Sequence, residues 1–130
     1  MSVRTAKMKV LVHSTRLNGS TVRLMDRLLS MVSEKQMYCT IEIENFRGAL
    51  LKYRTDRPIV VIHVGSMAGL AQIKDLDDIL DDLFLIILTE TDSKEMLMSC
   101  RRLYPRLLID SNEDFWIVTA VIEKRLASLD

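Results

Sequence analysis

The chain alternates short apolar runs with longer stretches whose apolar residues recur every three or four positions. Lys9–His13, Cys39–Ile43, Ile59–Val64, Phe84–Thr89 and Leu107–Ile109 are strand-like, and a helical run follows each of them. Ile59-Val-Val-Ile62 and Phe84-Leu-Ile-Ile-Leu88 are continuously apolar, as central parallel strands covered on both faces require. Cys39-Thr-Ile-Glu-Ile-Glu44 alternates apolar and polar residues instead, which suits a half-exposed edge strand. Asn18-Gly-Ser20 is turn and cap chemistry, and Val22, Met25, Leu28, Leu29 and Val32 then predict a helix from Thr21 to Glu34. Phe46, Ala49, Leu50 and Tyr53 mark a second helix, and Leu70, Ile73, Leu76 and Leu80 a third. Met96, Leu97, Cys100, Leu103 and Tyr104 mark a fourth, and Phe115 to Leu126 forms the fifth. Pro58 and Pro105 each precede a strand-like run, where a fixed φ is tolerated and helix propagation is blocked.

This alternation predicts one α/β domain over residues 1–130, a three-layer sandwich in which five helices cover a five-stranded parallel sheet. An edge position for the second strand gives the flavodoxin-like order 2-1-3-4-5. Ligands of such sheets bind beyond the carboxyl ends of the strands. The sequence places His13-Ser14-Thr15, His63, Thr89-Glu90 and Asp110-Ser111 there.

Composition narrows the function classes. Apolar residues at 48% and charged residues at 28% are those of an ordinary globular protein. Eighteen basic residues balance eighteen acidic ones, so no overall field draws in nucleic acid or an anionic membrane. The basic start (Arg4, Lys7, Lys9) leads straight into a strand rather than a signal-peptide core, and no window reaches the ~20 apolar residues of a membrane span. A cytoplasmic location follows as the expectation. Cys39 and Cys100 show neither a CxxC nor a Cys/His ligand spacing and are expected to be buried free thiols.

Ile86-Ile-Leu-Thr89-Glu-Thr-Asp-Ser-Lys-Glu95 and Met67-Ala-Gly-Leu70, in their order along the chain, resemble the receiver domain of two-component response regulators. The first resembles that family's fourth strand ending in Thr or Ser with the loop and helix after it, the second the start of its third helix. The resemblance implies a site with an acidic pair after strand one to hold Mg²⁺, an Asp phosphoacceptor ending strand three, and a Lys ending strand five. Here the acidic-pair positions fall on Ser14 and Thr15, the phosphoacceptor position on or beside His63, and the Lys-Pro pair on Asp110-Ser111. The strand-five aromatic becomes Leu107 or Leu108, and Thr89 alone persists. The expectation is a pseudo-receiver: a non-catalytic regulatory module without metal or cofactor, whose degenerate rim is Ser14, Thr15, His63, Thr89 and Asp110.

Other constellations compete with that reading. Ser14-Thr-Arg-Leu-Asn-Gly-Ser-Thr21 is similar to the phosphate-binding loop of flavodoxins, which makes FMN binding the alternative. His13 and His63 end neighbouring strands and could form a metal site or an acid–base pair, a phosphohistidine at His63, or simply hydrogen-bonded caps on opposite faces. The aspartate-rich run Asp75–Asp82 is either a solvated helix face or an acidic docking patch, and Arg101, Arg102 and Arg106 supply a basic counterpart. The last helix is apolar nearly all round, beyond the single stripe of a surface helix. In receivers the face made by helix four, strand five and helix five is the usual dimerisation surface. The resemblance therefore implies a protein partner or a homodimer here, with Met96, Tyr104, Trp116 and Val121 as the candidate interface.

Overall fold

Five parallel strands form one sheet in the order β2-β1-β3-β4-β5, with β1 spanning Val10–Ser14, β2 Met37–Thr40, β3 Ile59–Val64, β4 Phe84–Thr89 and β5 Leu107–Asp110. The computed structural model describes residues 9–15, 19–90, 93–110 and 116–127, with Gly19–Thr21 and Asp110 described by their backbone. Among the described residues five α-helices lie between the strands, α1 (Gly19–Leu29), α2 (Ile43–Tyr53), α3 (Met67–Lys74), α4 (Asp77–Leu80) and α5 (Lys94–Arg101), and a sixth, α6 (Trp116–Ala127), follows β5. This is the flavodoxin-like sandwich that the alternation predicts, with six helices in place of five. Among the described residues no helix is long and apolar enough to cross a membrane.

Strand parity divides the core into two layers. Leu11, Val60, Ile62, Val64, Leu85 and Ile87 face Phe46 and Leu50 of α2, Leu70 and Ile73 of α3, and Met96 and Cys100 of α5. Val10, Val12, Val61, Ile86 and Leu88 face Leu24 and Leu28 of α1 and Val118 and Ile122 of α6. All of β3 and nearly all of β4 are buried, because helices lie on both sides of them.

Three elements differ from the sequence expectation. The second strand is Met37–Thr40 rather than Cys39–Ile43, because Ile43 opens α2 and packs on the core from there. That edge position leaves Cys39 exposed, its Sγ 3.5 Å from Met25 Sδ, whereas Cys100 is buried, which pushes its thiol up to about 11. The first helix stops at Leu29, and its core face is Leu24 and Leu28, with Val22 and Leu29 exposed. The third helical run splits at Asp75-Leu76 into α3 and α4, where Asp77 and Asp78 favour a new helix start.

Arg57, Asp82 and Tyr104 adopt left-handed backbone with φ of 51°, 70° and 55°. Each lies in the turn that leads into β3, β4 or β5, where a left-handed residue ends the preceding helical segment and redirects the chain. Tyr104 therefore lies beyond α5, 87% exposed, rather than on the helix that its spacing suggests.

Adjacent leucines of α2 test this packing. Leu50 is fully buried and Leu51 is 54% exposed. Leu50→Ala should lower unfolding free energy by about 2–5 kcal/mol, and Leu51→Ala should stay within about 0.5 kcal/mol of the parent, as read by urea denaturation.

Candidate functional site

The parallel register brings the strand ends together. Ser14 pairs with His63, Val64 with Thr89, and Thr89 with Asp110, so the carboxyl ends of four strands form one rim. His63 is fully buried: Ser14 Oγ lies within hydrogen-bond distance of Nδ1 at 3.2 Å, while Glu90 Oε1, 3.5 Å from Nε2, makes an ion-pair approach without hydrogen-bond geometry. Ser14 is 2% exposed and the Glu90 side chain 20%, so the chain of hydroxyl, imidazole and carboxylate runs from the interior toward solvent.

His13 faces the other way. Its Nδ1 lies 2.9 Å from Thr40 Oγ1, and its ring stacks on Phe46 with centroids 4.4 Å apart and an interplanar angle of 11°. Alternation along β1 and β3 thus sends His13 into the α2 layer and His63 into the α1 and α6 layer. The two imidazoles are separated by the sheet, which removes the paired-histidine metal site or acid–base pair. Among the described residues no group of three His, Cys, Asp or Glu side chains could hold a metal ion. Burial pulls the His13 imidazole down from 6.5 to about 4, against a smaller raising effect of its hydrogen bonding to Thr40.

Thr15 braces the same end of the sheet. Its backbone N–H donates to His63 O (3.0 Å), and its Oγ1 accepts from the Gly65 N–H (2.8 Å). Its methyl fits against Gly69 in the first turn of α3, where a Cβ at residue 69 would stand 2.6 Å from Thr15 Cβ and Cγ2. Ser66 caps that helix by accepting from the Gly69 N–H at 3.1 Å. Thr89 is fully buried, and its Oγ1 has no hydrogen-bond partner among the described residues.

Ser14, Thr15, His63 and Thr89 all lie at the carboxyl end of the sheet, but strand parity turns Ser14 and His63 toward the α1 and α6 layer and Thr15 and Thr89 toward the opposite layer. The backbone of Asp110 joins them through β5, while its side chain and Ser111 lie outside the described residues. Of the flavin-type loop, residues 16–18 lie outside them too. Met96 of the expected interface is 2% exposed and sits in the core, because α5 packs its Met96 and Cys100 side against the sheet. Tyr104 and Trp116 are exposed, and Val121 is half-buried. Thr40, Phe46 and Gly69 become partners of the rim only through register and helix packing, so nothing local in the sequence marks them.

Fold and rim define a flavodoxin-like α/β protein in which Ser14, His63 and Thr89 are buried at the strand ends. No protein-family model matches the chain, and no curated protein matches it in sequence. The chain is similar to the crystal structure of a Burkholderia pseudomallei K96243 protein described as pilus assembly-related, with a TM-score of 0.63 over 95% of this chain and 92% of that one. The two are 15% identical in sequence, and the likeness establishes a common fold.

Two measurements probe the site. The unfolded chain protonates His13 before the folded one does, so this residue's contribution to stability is complete above pH 6.5 and is lost as pH falls toward 4. Between pH 7 and pH 4 the parent should therefore lose about 2–3 kcal/mol more than His13→Phe, which cannot titrate; parallel slopes in urea titrations would contradict the buried neutral imidazole. Gly69→Ala should cost about 1–3 kcal/mol through overpacking, and Thr15→Gly in the same chain should recover part of that loss.

Proposed function

We propose that this protein is a non-catalytic regulatory and protein-interaction module, built like a response-regulator receiver and independent of phosphorylation. The observation that carries the reading is the burial of His63, braced by Ser14 and Glu90, at the position a phosphoacceptor would take. Mg²⁺ binding there needs paired carboxylates, and Ser14 and Thr15 stand in their place with their hydroxyls turned to internal partners. The same inward hydroxyls argue against a phosphate cradle of the FMN type built on these two residues. Recognition then falls to the surface formed by α5, β5 and α6, where Tyr104 and Trp116 stand exposed at 87% and 57%. A protein partner or a second copy docks there, in the reducing cytoplasm. A role within a larger assembly would agree with the neighbour described as pilus assembly-related.

Incubation with acetyl phosphate and Mg²⁺ should leave the intact mass unchanged, and beryllofluoride should leave the amide spectrum unchanged. A Mg²⁺-dependent gain of one phosphoryl group would overturn the reading.

A further inference from the structure

The end of the sheet opposite the His63 rim holds a different kind of site. Phe84 opens β4, about 17 Å along the strand from Thr89, and forms a groove of ≈ 230 Å³ with Val121, Lys124 and Arg125 of α6. Two guanidiniums bracket the Phe84 ring: Arg125 Cζ lies 5.0 Å from its centroid and Arg106 Cζ 5.6 Å. The floor is therefore aromatic and aliphatic, and the rim is cationic. Among the described residues of that helix, exposed Glu123 is the acidic neighbour, outnumbered by the exposed Arg106 and Lys124. Among the described residues Arg106 and Lys124 make no ion pair, so their charge faces outward.

We infer that this groove between the start of β4 and the end of α6 docks an acidic protein segment through one large apolar side chain. The inference deepens the interaction-module reading by giving the partner a chemistry, and it rests on that reading. Charge complementarity selects the occupant's sign, and the cavity is below the roughly 300 Å³ of a small-molecule pocket, which fits one inserted side chain. A phosphate backbone would satisfy the cations and leave the apolar floor unused. A second copy fits poorly, because the aspartate-rich segment of this chain keeps Leu76 and Leu80 in its own core and offers no apolar side chain to insert. Its Asp81 and Asp82 also face Arg54 and Arg57 of the same chain across a separate cavity. Arg101 and Arg102, exposed at the end of α5, extend the positive surface along the connection to Arg106.

The test is an amide-resolved titration of the full chain with a short Asp/Glu-rich peptide carrying one central Phe. Shifts should centre on Phe84, Val121 and Lys124 with submillimolar affinity. Exchanging the peptide's Phe for Gly should weaken binding about tenfold or more, as loss of one buried aromatic implies. Lys124→Glu and Arg106→Glu, both at exposed positions, should each weaken it about five- to tenfold, and added salt should weaken it further. Melting curves of both variants separate lost binding from lost folding. No shift at millimolar peptide, equal binding of the Gly peptide, or tighter binding of an oligonucleotide or an anionic vesicle would overturn the inference. Concentration-dependent shifts of the groove in peptide-free protein would assign it to self-association and overturn it as well. A phosphoryl gain from acetyl phosphate would sink the regulatory reading and leave the groove result standing, so the two failures are distinguishable.

Discussion

β3 and β4 lie side by side with no polar side chain on either face until His63 and Thr89, and both faces of that pair have to be kept from water. The remaining architecture follows from this demand. Parallel neighbours cannot be joined by tight turns, so each connection is long enough to carry a helix, and those helices supply the two covering layers. α2 to α5 cover one face, and α1 with α6 covers the other. The outer strands β2 and β5 are four residues each, and Tyr38 and Cys39 are exposed where this cover thins at the β2 edge.

Burial continues past the apolar stretch, and this decides the character of the rim. Polar groups at the strand exits are enclosed before they reach solvent, and most take an internal partner, Thr89 Oγ1 being without one among the described residues. His13 takes Thr40 and the Phe46 ring, His63 takes Ser14 and Glu90, and Thr15 takes Gly65. In a sheet of this order the same location commonly holds a ligand. Here Ser14, His63 and Thr89 are buried at that location, while Tyr104 and Trp116 are exposed beyond α5 and at the start of α6.

Much of this was legible in the sequence because the strongest signals were strands buried on both faces. Ile59–Val64 and Phe84–Thr89 are strands with the boundaries that their composition implies. At Ile43 two periods overlapped: residues 39, 41 and 43 follow a strand, while 43, 46, 49, 50 and 53 follow a helix, and packing on the core chose the helix. Leu24 escaped notice because Val22 and Leu29 suggested a different face of α1, and only the sheet defines which face turns inward. That Ser14, Thr15, His63 and Thr89 lie at one end of the sheet could be inferred from strand order alone. Their orientations could not, since placing His13 and His63 on opposite faces depends on the parity of each strand. The groove at Phe84 joins residues about forty positions apart in chain and carries no local signature.

The register has a kinetic corollary. Val10 pairs with both Met37 and Ile59, and Ile86 pairs with Leu107, so every first contact between strands must close a loop that spans a whole helix. Among the described residues the sheet has no hairpin to seed it locally. The entropy of those closures falls due before any strand pairing rewards it, which slows folding relative to a helical bundle of equal size. Helices that form early shorten the search, and α2, whose Phe46 and Leu50 are fully buried against the β1 and β3 layer, is placed to hold the first two strands while the third arrives.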